Sequence, residues 1–130
     1  MERTGPKRGC TGSGHAALDF NNVRLADAVI RSVVSTGNEL RVIYVDWREV
    51  EQGLTFRDLA GYQSFSPEGK DLSHGNRVEM DPFIAFACQA AEEEEVEGFR
   101  AYSFIAACSG AVILKIVAKD VVICEAGTQA

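Results

Sequence analysis

The sequence predicts an α+β protein: one antiparallel sheet of about five to six strands with a single helix packed on one face. Three observations carry that expectation. Residues 40–57 read as two strands joined by a short polar break at Arg48 and Glu49. Asp81-Pro82 opens a stretch with apolar residues at helical spacing. Three further β-rich runs follow that stretch. Strands, long loop, helix and strands in that order segregate the helix from the strands, unlike the alternation of a βαβ fold.

The elements follow in chain order. Residues 1–15 are rich in glycine and carry Arg3, Lys7 and Arg8 against Glu2. Such a segment buries too little to offset its ordering entropy, so a disordered, locally basic tail is expected. The domain is expected over residues 16–127, with a loose end at 128–130. Leu18 and Phe20 alternate with polar residues and suggest a short strand, and Asn21-Asn22 suggests a turn. Residues 28–35 are β-branched and are followed by Thr36-Gly37-Asn38, a strand and its hairpin turn. In the next strand Leu40, Val42 and Tyr44 form one apolar row, and Ile43, Val45 and Trp47 form the other. A strand apolar on both faces is expected to be central and covered on both. Residues 50–57 alternate apolar and polar, the pattern of a strand with one wet face. Short connections make these three a meander.

Residues 58–80 read as a long irregular loop, with turn chemistry at Ser66-Pro67-Glu68-Gly69 and again over 71–76. A connection this long is often functional. Asp81 is a helix cap with Pro82 at the first helical position. Phe83, Ile84, Ala87, Cys88, Ala90 and Ala91 form the apolar stripe, Glu92–Glu95 carry the helix into solvent, and Gly98 is the expected stop. Residues 99–107, 111–118 and 121–125 are the last three strands, the middle one apolar on both faces over Val112, Ile113 and Leu114.

Composition bounds the function. At 130 residues the chain is one domain by size. The net charge of -6 argues against nucleic acid and against anionic lipid, both of which select basic surfaces. No apolar run is long enough to span a bilayer, and the first fifteen residues hold no leader-like segment. The four cysteines lack metal-finger or Cys-x-x-Cys spacing, and three sit in apolar runs as small hydrophobes. The expectation is a cytoplasmic protein with reduced thiols.

No catalytic constellation emerges. The glycines at 9, 12 and 14 neither follow a strand nor open a helix, so they do not make a phosphate loop. His15 lies in the tail, and His74 lies near Asp71 in the long loop. An Asp-x-x-His pair supplies too few ligands for a metal, and the bland alternative is an Asp that caps its turn beside a solvated His. Neither metal nor cofactor is expected. Candidate ligand-binding residues are Tyr62, Asp71 and His74. Candidate interaction residues are Trp47, which either plugs the core or edge or stands out as an anchor, and the acidic run Glu92, Glu93, Glu94 and Glu95, which is either a solvated face or a contact for a basic partner.

The run D-F-N-N-V-R-L from Asp19, the hairpin L-R-V-I-Y-V-D-W with G-L-T-F-R-D-L, the loop F-S-P-E-G-K-D-L-S-H-G and the F-R-A-Y-S-F-I-A and I-L-K-I-V-A strands resemble uncharacterised small single-domain bacterial proteins. Such proteins travel on mobile elements such as integron gene cassettes and in immunity-like gene neighbourhoods. The resemblance spans residues 19–125, transfers no catalytic residue and implies a binding or accessory role.

Two readings of function stand. The first is a non-enzymatic protein-interaction or accessory module, homodimeric or immunity-like, that presents a sheet face or edge; in the immunity-like case its acidic face blocks a basic nuclease toxin. The second is a small-molecule-binding sheet-and-helix cup, or a weak enzyme, closed by the 62–80 loop.

Overall fold

The computed structural model describes residues 18–124. The expected tail over 1–15 with His15 and Cys10, and the loose end at 128–130, lie outside the described residues. A 3-10 turn at Phe20–Asn22 precedes β1 (Val29–Thr36), β2 (Glu39–Val45), β3 (Glu51–Arg57), β4 (Gly61–Ser64) and β5 (Leu72–Val78). Helix α1 (Pro82–Ala90) and strands β6 (Arg100–Ala106), β7 (Val112–Ala118) and β8 (Asp120–Cys124) complete the chain.

The α+β class holds, with antiparallel strands and one helix, but the arrangement differs from one sheet of five or six strands. Among the described residues, eight strands form two four-stranded sheets, ordered β1-β2-β3-β8 and β4-β7-β6-β5. The difference lies in residues 58–80, expected as a loop and found to contain β4 and β5. Ser73, Gly75 and Asn76 are poor strand formers, yet pairing with β6 from Leu72↔Ala106 to Val78↔Ala101 overrides local preference.

The chain changes sheets at one corner. Lys119 separates β7 from β8 and donates its amide to the Arg57 carbonyl at 3.0 Å, while the Ala60 amide reaches the Val117 carbonyl at 2.8 Å. Arg57 and Asp120 are cross-strand partners there, and their side chains meet in a two-pronged pair at 2.7 and 2.8 Å. That fork-to-fork geometry makes the ion pair directional.

One core is shared by both sheets. Ile30, Leu40, Val42, Leu54 and Phe56 of the first face Leu72, Tyr102, Phe104, Leu114 and Ile116 of the second. Phe20 seals it, with ring centroids 5.9 Å from Phe56, 5.4 Å from Tyr102 and 5.3 Å from Phe104, all edge-to-face. Leu18–Phe20 is therefore no strand. Asp19 accepts the Asn21 amide at 3.2 Å and the Asn22 side chain at 3.1 Å, winding the segment so that Phe20 points inward.

Both expected central strands are central: β2 lies between β1 and β3, and β7 between β4 and β6. β7 is covered on both faces, by the shared core against Leu114 and Ile116 and by α1 against Val117. β2 is not. Leu40, Val42 and Tyr44 are buried, but Ile43 and Val45 are only half-buried, and Trp47 lies beyond the strand and is exposed.

Helix α1 packs on the second sheet through Ile84, Ala87 and Cys88, against Phe99, Ala101 and Val117. Asp81 caps it, accepting the Phe83 amide at 2.8 Å, and also accepts Lys115 Nζ from β7 at 2.8 Å. Burial pushes the Asp81 carboxyl up, but the Lys115 and Phe83 bonds outweigh burial and hold it below its ordinary value. The helix ends before the glutamate run instead of extending through it. Glu92 takes a φ of 62°, the Glu93 amide reaches the Cys88 carbonyl at 2.9 Å and the Glu92 amide reaches that of Gln89 at 3.0 Å. This is the Schellman closure, with Glu where glycine is usual.

Candidate binding groove

β2 ends at Val45 and β3 begins at Glu51, a cross-strand pair, so residues 46–50 must reverse the chain. Asp46 builds that reversal from inside. Its Oδ1 accepts the amides of Arg48 at 2.9 Å and Val50 at 3.0 Å. Its Oδ2 accepts the Arg48 guanidinium at 2.7 and 3.2 Å and the Gln52 side chain at 3.2 Å. A carboxylate that gathers nearby amides in this way is an Asx-type turn with added partners. The Arg48 bond holds the Asp46 carboxyl far below the ordinary range; burial opposes this, and the Val50 and Gln52 bonds reinforce it. Tyr44, two residues upstream, is pushed up to about 12 by burial and then by the Asp46 charge, with Arg48 pulling the other way.

With Asp46 turned inward, Trp47 turns out and stays 49% exposed. The Arg24 guanidinium lies 4.4 Å from its ring centroid and the Arg48 guanidinium 5.8 Å. Both distances fall within the reach of a cation–π contact.

The opposite wall comes from distant parts of the chain. Val29 pairs with Val45 and also bridges Asp71, and the Gly69 amide donates to the Ile30 carbonyl at 2.8 Å. These contacts place Glu68 and Gly69 across from the β2–β3 turn. The β1–β2 register slips between Ile30 and Ser32, leaving Arg31 as an extra residue. A bulge of this kind re-aims the side chain it carries, and Arg31 lines the groove.

The resulting groove holds about 990 Å³, and its charged lining is Asp27, Arg31, Asp46, Glu49, Glu51 and Glu68. Asp46 is committed to Arg48. Among the described residues, the carboxylates of Asp27, Glu49, Glu51 and Glu68 make no hydrogen bond or ion pair. Asp27 and Glu49 also hold left-handed backbone, with φ of 67° and 66°. Four unpaired carboxylates against one arginine, Arg31, leave the hollow net acidic, which favours a cation there.

Of the residues expected from sequence to form a site, only Trp47 lines the groove. Glu92, Glu93, Glu94 and Glu95 are exposed in the connection between α1 and β6. None of the four lines the groove, which lies where β5 starts. Tyr62 sits exposed on β4 and His74 exposed on β5. These are the two edges of the second sheet, about 14 Å apart at the usual strand spacing. Asp71 bridges Val29 at the start of β5, and His74 Nδ1 contacts Ser73 Oγ at 3.0 Å. The structure therefore does not bring Tyr62 together with Asp71 and His74.

Sequence reasoning missed Asp27, Glu49, Glu51 and Glu68. The D-W-R-E-V-E run gave a local signal, since Glu49 and Glu51 flank the tryptophan turn. Asp27 and Glu68 gave none, because only tertiary contacts, the Val29–Asp71 bridge and the Gly69–Ile30 and Asp27–Leu72 backbone bonds, make them neighbours. Among the described residues, no group of three or more His, Cys, Asp or Glu side chains is placed to hold a metal ion. No helix among them is long and apolar enough to cross a membrane. Comparison with protein-family models, with curated proteins and with solved structures finds no match.

Proposed function

We propose that this chain is a non-enzymatic interaction module, accessory or immunity-like in kind, that takes a basic segment of a protein partner into the groove beside Trp47. The observation that carries the reading is the set of four unpaired carboxylates around an exposed tryptophan. A cationic segment would relieve their mutual repulsion, and the same field would speed its approach. Tryptophan supplies the aromatic anchor on which binding energy concentrates. The net charge of -6 adds a long-range attraction of the same sign.

The test is binding of an arginine-rich peptide to the full chain at low and at high salt. The reading expects binding that weakens steeply as salt rises, because exposed charges are screened. Absence of binding at low salt, or binding indifferent to salt, contradicts it.

A further inference from the structure

We infer that the Trp47 ring, at the edge of this groove, is a guanidinium subsite occupied in the free protein by the chain's own Arg24. The inference rests on the reading of the groove as a receptor for a basic segment. Two guanidinium groups already flank this one ring, and they differ in how they are held. Arg48 is fixed by Asp46 through two nitrogens, so it is held in place beside the ring. Arg24 is exposed, in the connection between the 3-10 turn and β1, and lies closer to the ring, at 4.4 Å. Among the described residues its side chain has no carboxylate partner.

Arg24 therefore occupies the aromatic face while making only part of the contact available there. A planar guanidinium stacks on an aromatic ring and pairs with carboxylates in the same plane, which a lysine ammonium does less well. An arginine arriving in the groove would gain the ring and also an unpaired carboxylate, Glu49 on the same turn or Glu51 at the start of β3. It would displace a resident that has the ring alone. The exchange is thus biased toward the incoming side chain, and Arg24 sets a threshold that weak or lysine-only ligands fail to cross.

Trp47 is the only tryptophan in the chain, so its emission reports on this ring alone. The experiment compares the wild-type chain with Arg24→Ala, first by acrylamide quenching of Trp47 without ligand, then by titration with acetylated hexa-arginine and hexa-lysine. Arg24→Gln serves as a second variant, read if circular dichroism finds the alanine variant altered. The expected results are stronger quenching once Arg24 is removed, hexa-arginine binding tightened about two- to fivefold, and hexa-lysine weaker than hexa-arginine on both proteins. Unchanged quenching, or hexa-arginine binding that is unchanged or weaker in the variant, overturns the subsite's occupation by Arg24 while wild-type binding keeps the groove reading in place. Equal binding of the two peptides overturns the guanidinium preference. Failure of hexa-arginine to bind either protein removes the groove reading itself, and the inference with it.

Discussion

Asp46 and Arg48 close the β2–β3 turn on each other, with Oδ2 of Asp46 accepting both Nε and a terminal nitrogen of Arg48 at 3.2 and 2.7 Å. Arg48 in turn lies beside Trp47. Position 46 thus sets the tryptophan's orientation through the turn it holds. Asp46→Ala should lower the thermal midpoint and lower the fluorescence anisotropy of Trp47. Asp46→Asn, which keeps an acceptor for the Arg48 and Val50 amides but loses the ion pair, should fall between. An unchanged anisotropy in Asp46→Ala would show that the turn does not need this carboxylate.

Asp81 joins helix α1 to β7, and its folded carboxyl is depressed. A depressed acid contributes fully above its unfolded value, about 3.9 for Asp. The contribution is lost as pH falls from there through the folded value. Asp81→Asn should therefore reduce stability at neutral pH and flatten its decline in acid. Asp81→Ala should cost about 1–2 kcal/mol at neutral pH, the range for a lost cap. Urea unfolding at neutral and acidic pH measures both.

Gly75 lies under Phe20 and Leu25. A β-carbon there would approach Phe20 Cε2 and Leu25 Cδ1 to 2.8 Å, closer than carbon atoms pack. Gly75→Ala should destabilise by about 1–3 kcal/mol, the usual cost of overpacking. The cost should shrink when Phe20 is also shortened to Leu, and a double-mutant cycle by urea unfolding reads the coupling. Strict additivity would place Phe20 elsewhere in solution.

Glu92 occupies the left-handed position of the helix closure. Glu92→Gly should stabilise the protein by about 1 kcal/mol, since glycine carries no steric penalty there. Removing a carboxylate from a helix C-terminus acts in the same direction. A lower thermal midpoint for Glu92→Gly would contradict this account of the helix end.

How legible this was from sequence varied by element. The central places of β2 and β7 could be read because each carries apolar residues on both rows. The start of α1 could be read because Asp81-Pro82 combines a cap with a residue suited to the first turn. β4 and β5 could not, because they are edge strands built from polar and turn-forming residues whose pairing partners lie elsewhere in the chain. The division into two sheets was equally hidden, since it depends on the corner where Arg57 meets Asp120. At the groove, Trp47 was identifiable as a possible anchor by its type. Its setting was not, because Asp27 and Glu68 reach it only through tertiary pairing of the segments around Val29 and Asp71.

The central claim is that unpaired groove carboxylates bind a cationic segment. Isothermal titration of acetylated hexa-arginine tests it most directly, into the wild-type chain and into the combined variant Asp27→Asn, Glu49→Gln, Glu51→Gln and Glu68→Gln. These four residues line the groove without ion-pair partners among the described residues, so the variant should keep its fold. The account predicts measurable wild-type binding that weakens by more than about tenfold in the variant. Equal affinity for the two proteins, with both folded by circular dichroism, would contradict it.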